Sequence, residues 1–166
     1  MLIYIGADHR GFKLKETLKN FLKLRGYQVV DLGNTVYDEG DDNPIFAAKV
    51  AEQVNVDSET SRGILICGSG VGVSIVANKF PHIRAALASS PDQAYDSRKE
   101  DDSNILALGA NYLDDETAER ITLTWLETPF SGEERYRRRL SEIDQIEETR
   151  PDSDSSEKTS KDINWQ

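Results

Sequence analysis

The chain carries one cysteine, Cys67, in 166 residues. That excludes an intrachain disulfide and points to a reducing compartment, with the cytoplasm as the expected location. Five prolines and eleven glycines exclude a collagen-like or low-complexity chain. Long apolar runs are missing: Ile64–Cys67 and Ala85–Ala88 fall far short of the roughly 18–20 residues that span a bilayer. The opening Met1–Ile5 is too short and too poor in basic residues to read as a signal peptide. Cations are scarce, 20 Lys+Arg against 30 Asp+Glu, for a formal charge of -10. Such a surface repels nucleic acid and anionic lipid, so neither is an expected partner. The exception is Arg135-Tyr136-Arg137-Arg138-Arg139, where the sign reverses locally.

What is present suits one globular domain. Apolar residues are 37% and charged residues 30%, over a length that buries a real core. Short β-rich runs alternate with helical patterns, which predicts βαβ units and a parallel sheet. Strands are expected at Leu2–Ile5, Tyr27–Leu32, Gly63–Cys67, Ile83–Ala88 and Asn104–Leu108. Between Gly11 and Arg25, Leu14, Leu18, Phe21 and Leu22 share one helical face. Further helices are expected from Pro44 to about Val56, from the glycine loop to about Lys79, and over Pro91–Asp102, Asp115–Glu127 and Gly132–Glu148. Proline is at home in a first helical turn, which suits Pro44. From Thr149 the sequence is polar and charged and reads as a disordered tail, leaving 1–148 as the domain. The expected fold is a Rossmann-like α/β/α sandwich around a five-stranded parallel sheet. Ligands then bind beyond the carboxyl ends of the strands, which puts Asp8-His9, Cys67–Gly72, Ser89-Ser90 and Gly109–Asn111 on the candidate edge.

Cys67-Gly68-Ser69-Gly70-Val71-Gly72 is the most informative segment. Three glycines in five residues let the backbone turn tightly and aim several N–H groups at one anion. A following helix adds the positive end of its dipole, and a thiol at such a strand end is commonly activated. The plain alternative is a tight turn around an inert cysteine. A nicotinamide loop would read G-x-G-x-x-G with an acid ending the next strand, but that strand ends in Ser89-Ser90. A hydrolase elbow needs a glycine where Cys67 stands. A cysteine phosphatase needs an arginine where Val73 stands. An oxyanion-stabilising loop beside a thiolate base remains, and that suits aldose–ketose isomerisation, in which an enediolate develops next to the base.

Three segments together resemble the type B ribose-5-phosphate isomerases, grouped with galactose-6-phosphate isomerase in one sugar-phosphate isomerase family. They are Gly6–Phe12, reading GADHRGF; Cys67–Gly72 with Asn78-Lys79; and Asn104–Gly109, reading NILALG. The resemblance runs over about residues 1–148 in unbroken order. It implies no metal or organic cofactor, a phosphorylated sugar substrate, and a homodimer or dimer of dimers with active sites between subunits. The most direct expectation is interconversion of ribose 5-phosphate and ribulose 5-phosphate through a cis-enediol. An isomerase for another phosphosugar, such as a six-carbon one, and a non-catalytic phosphosugar-binding member are the alternatives.

Position by position, the resemblance makes Cys67 the base, puts Ser69 near the enediolate, and has Gly68, Gly70, Val71 and Gly72 supply backbone N–H groups. Asp8 handles hydroxyl protons, and His9, Arg135 and Arg139 contact phosphate. Asp8 is also suited simply to cap the following helix. The arginines are equally suited to a solvated face balanced by Glu133, Glu134, Glu142 and Asp144. Where the family typically has His-Asn-Asp after Ser-Arg, this chain reads Lys99-Glu100-Asp101-Asp102. Glu100 therefore takes the position of the ring-opening histidine, and Asp101 that of the asparagine. A carboxyl group can serve as a general acid where desolvation raises its pKa.

Overall fold

A computed structural model describes residues 1–57 and 59–149; the expected tail beyond Thr149 lies outside the described residues. The chain runs β1 (Leu2–Ala7), α1 (Phe12–Leu24), β2 (Gln28–Asp31), α2 (Asn43–Val56), β3 (Ser61–Cys67) and α3 (Val71–Ala77). It continues with β4 (Ala85–Leu87), α4 (Pro91–Lys99), β5 (Ile105–Gly109), α5 (Asp115–Glu127) and α6 (Glu134–Glu148). The five strands form one parallel sheet in the order β2-β1-β3-β5-β4, as an α/β sandwich requires. Central strands β1, β3 and β5 are the apolar runs, as parallel strands covered on both faces must be. The edge strands β2 and β4 are short and half-exposed, which limits unpaired edge.

Alternation along the strands divides the core. Ile64 and Ile66 of β3 face one layer, with Ile3, Ile5, Leu106 and Leu108, against Leu14, Leu18 and Leu22 of α1 and Ile121 and Trp125 of α5. Leu65 and Cys67 face the other, with Ile105 and Ala107, against Val50, Ala51 and Val54 of α2 and Val73 and Ala77 of α3. Cys67 thus ends a buried strand on the α2/α3 side. No helix among the described residues is long and apolar enough to cross a membrane.

Two helices end two or more residues before the sequence pattern predicts. α4 stops at Lys99 instead of Asp102 because Arg98 folds back: its Nη1 donates to Asp102 Oδ1 at 2.7 Å and to the Ser103 carbonyl at 2.6 Å. Asp102 takes a left-handed backbone (φ 46°) and turns the chain toward β5. α3 ends at Ala77 instead of Lys79, where Asn78 bonds its side chain to Ala85 N–H and C=O and so clips the helix end to β4.

Lys15 is fully buried on α1, a position whose type is almost never fully buried unless paired. Its ammonium donates to Asp31 Oδ2 at 2.6 Å and to the Asn34 carbonyl at 2.7 Å. Lys19 adds a second bond to Asp31 at 2.8 Å. Burial pushes the Asp31 carboxyl up, but the bonds from both lysines outweigh it and hold it below the ordinary carboxylate range. Breaking a buried pair by removing one partner costs far more than the pair contributes net. Lys15→Ala is therefore expected to lose about 3–5 kcal/mol of stability, measured by urea unfolding. Lys15→Met, which refills the volume, should lose less.

Candidate functional site

The strand order fixes where a site can form. β1 connects outward to β2, while β3 lies on the other side of β1, so the chain reverses direction between β1 and β3. In such sheets the crevice opens at the carboxyl ends of the two strands flanking the reversal. Those ends are Ala7-Asp8 and Cys67-Gly68. A cavity of about 210 Å³ lies there, lined by Asp8, His9, Arg10, Asp41, Asp42, Asn43, Cys67, Gly68, Ser69 and Gly72.

Asp8 is 4% exposed and its Oδ1 accepts the Gly11 N–H at 3.0 Å. The carboxyl both shapes the entry to α1 and faces the cavity. Burial pushes its pKa up, against the hydrogen bond from Gly11 and the positive neighbour His9, which favours a group that both takes and returns protons. Cys67 is also buried, and its Sγ accepts the Gly70 N–H at 3.1 Å. Gly70 has φ 76°, and a Cβ there would stand 2.9 Å from the Leu108 carbonyl carbon and 3.0 Å from the Gly109 nitrogen. Only glycine fits that position, which makes the amide-to-sulfur bond a backbone feature.

Of the expected amide donors, Gly68 and Gly72 line the cavity with Ser69. The Gly70 N–H is engaged by Cys67, and Val71 N–H reaches Ser69 Oγ at 3.3 Å. Val71 faces a second, more apolar depression with Ser69, Leu87, Ser89, Gly109 and Tyr112.

His9 is held by a residue the sequence reading did not single out. Asp41 Oδ1 accepts the His9 backbone N–H at 2.7 Å and lies 2.9 Å from its Nδ1. Asp41 Oδ2 accepts from Asn34 Nδ2 at 3.0 Å. This leaves the outer ring nitrogen of His9 for a ligand. Arg10 also lines the cavity and was likewise not singled out. The acid-rich stretch Gly33–Asn43 was legible only as a loop, because nothing in its spacing marks Asp41 above Asp38 or Asp42.

Glu100, Asp101, Arg135 and Arg139 do not line this cavity. Glu100 follows the carboxyl end of α4, and return helices run antiparallel to the strands. It therefore stands at the opposite edge of the sheet from Cys67. There it meets the start of α6: the Tyr136 hydroxyl bonds Glu100, and burial followed by that bond pushes the phenol up. Arg135 Nη2 donates to the Tyr136 hydroxyl at 2.5 Å. Asp101 is raised by desolvation and by the Glu100 charge, and is lowered by Arg139. One chain thus carries two groups of expected site residues, one at each edge of the sheet. On the same far side, His82, Asp144 and Glu147 bring ligand-type atoms within 4.8 Å of one another at the surface, with His82 N–H already donating to Glu147.

A doubly wound α/β domain that gathers a thiol, a buried carboxyl and a glycine loop in one crevice has the layout of an enzyme for a small polar ligand. Residues 3–143 match the ribose/galactose isomerase family, and the chain belongs to it. Ribose-5-phosphate isomerase B of Escherichia coli is 43% identical over 148 residues, covering 89% of this chain and 97% of that protein. A Clostridium thermocellum ribose-5-phosphate isomerase B structure superposes with a TM-score of 0.85 at 45% identity, covering 89% and 98% of the two chains. The Mycoplasma genitalium enzyme, solved with bound ribulose-5-phosphate, superposes with a TM-score of 0.87 at 38% identity, covering 90% and 97%.

The hydrogen bond to Asp41, more than any other factor, pushes His9 above the ordinary imidazole value. The positive charge is then present below that ordinary value and is lost only as pH rises through the raised one. Asp41→Asn should move the His9 titration, followed by NMR, down toward about 6.5.

Proposed function

We propose that this chain is an aldose–ketose isomerase that interconverts ribose 5-phosphate and ribulose 5-phosphate through a cis-enediol. The observation that carries the reading is the meeting of Cys67, Asp8 and Ser69 in one crevice of a ribose/galactose isomerase family fold. The Cys67 thiolate takes the C2 proton of the open-chain aldose. The C–H electron pair forms the C1–C2 double bond, and the carbonyl pair moves onto O1. Ser69 and the loop amides donate to that oxygen. Asp8 moves the hydroxyl proton between O2 and O1, and the Cys67 thiol returns its proton to C1 to give the ketose. His9 contacts the phosphate. The same acid–base chemistry suits a cytoplasmic enzyme with an unoxidised thiol.

The phosphate arginines, and Glu100 as the ring-opening acid–base group, come from a second copy of the chain. Glu100 and Cys67 stand at opposite sheet edges of one copy, so the two groups meet only across an interface. The cavity supports this reading, since about 210 Å³ is small beside the ~300–1,000 Å³ of complete small-molecule pockets. Next to it Val71, Ile75, Leu87 and Tyr112 are 42–74% exposed, an apolar face suited to a partner. A homodimer, alone or paired into a dimer of dimers, closes two equivalent sites.

Two measurements test this. Cys67→Ala should abolish both isomerisation and solvent exchange at C2, and a fully active variant would remove the mechanism. Cys67→Ala and Arg139→Ala chains, each inactive alone, should regain about a quarter of wild-type activity when co-refolded in equal amounts, because each mixed dimer holds one intact site.

A further inference from the structure

The loop glycine Gly68 has an unusual neighbour. A Cβ built on it would stand 2.6 Å from Arg10 Nε and 2.7 Å from Arg10 Cζ. The guanidinium therefore lies directly against the backbone of the residue that follows Cys67, and both Arg10 and Gly68 line the same cavity. The side chain at 68 must be absent for Arg10 to occupy that position. Arg10 forms no ion pair or side-chain hydrogen bond among the described residues, although Asp8, Asp41 and Asp42 line the cavity with it. His9, the other cation there, is already engaged by Asp41. Arg10 is thus the cavity's one positive group without a carboxylate partner among the described residues, and it is stationed at the glycine loop.

We infer that Arg10 is a further catalytic residue, donating a guanidinium hydrogen bond to the enediolate oxygen that forms beside Cys67. The inference rests on the isomerase reading above. Its chemical basis is position: the base and the developing oxyanion must be neighbours, and Gly68 is the next residue after the base. A planar, permanently charged fork with several N–H donors suits an oxygen whose charge appears only during reaction. The phosphate is three carbons further along the substrate from C2, on the side assigned to His9. Arg10 therefore strengthens binding of the reacting state more than binding of the ground state.

The test compares full-length wild type, Arg10→Ala and Arg10→Lys. It measures turnover of ribose 5-phosphate, inhibition by a phosphorylated hydroxamate that mimics the enediolate, and inhibition by inorganic phosphate. Arg10 is exposed, so folding is expected to persist, and a thermal melt checks it. Loss of one oxyanion donor typically lowers kcat by about 10²–10³-fold. Arg10→Ala should show a fall of about 10²-fold in kcat with KM nearly unchanged. Hydroxamate affinity should fall in parallel and phosphate affinity should hold, with Arg10→Lys in between. A raised KM and weakened phosphate inhibition at normal kcat would overturn the inference and make Arg10 a phosphate grip. Unchanged kinetics would reduce it to a surface charge. Wild type without turnover removes the isomerase reading and this inference with it, whereas an active wild type, a dead Cys67→Ala and a normal Arg10→Ala remove this inference alone.

Discussion

The buried ammonium of Lys15 holds together the part of the molecule on which the cavity depends. It anchors Asp31 at the end of β2 and the Asn34 carbonyl just beyond it. Asn34 then donates to Asp41, and Asp41 holds both the backbone N–H and the ring of His9. A long, irregular loop between β2 and α2 is thereby tied to the rigid interior at one end and to a cavity residue at the other. Such a network is costly when half-satisfied and rigid when complete. Here every member named has its partner. His9 owes its orientation to a charge buried on the opposite side of α1 from solvent.

The second constraint is the strand order. Because β3 sits beside β1, the ends of two strands distant in sequence bring Asp8 and Cys67 to one crevice. The same parallel geometry sends the carboxyl end of α4 and the start of α6 to the other edge. The fold therefore separates the thiol from the arginines within a chain as firmly as it joins the thiol to Asp8. The proposed substrate, with a reacting carbonyl at one end and a phosphate at the other, suits a site assembled from two such edges.

Much of this was legible in the sequence, for identifiable reasons. Continuous apolar runs marked β3 and β5 because buried parallel strands face apolar layers on both sides. Leu14, Leu18, Phe21 and Leu22 marked α1 because its core-facing stripe has the helical period. The glycine loop was visible because Gly70 needs a left-handed backbone and close contact with β5. Other features depended on tertiary pairing, which leaves no periodic trace. Lys15 sits in a pattern of lysines at 13, 15 and 19, and only folding distinguishes the buried one. Asp41 is one acid among several, and its partnership with His9 spans 32 residues. Arg98 shortened α4 through a turn-back that helix propensity does not encode.

On the proposed reading, a chain of net charge -10 has to gather cations around a phosphorylated substrate. The cavity itself holds three aspartates, Asp8, Asp41 and Asp42. Asp41 is matched by His9, and burial raises the Asp8 pKa above the ordinary carboxylate value. Arg10 adds a permanent positive charge at the edge that carries the Cys67 thiol. Arg135 and Arg139, stacked over the Tyr136 ring at 4.4 and 5.6 Å, supply two more at the opposite edge. In the proposed dimer, these two sets of cations come together only where the two edges of different copies meet.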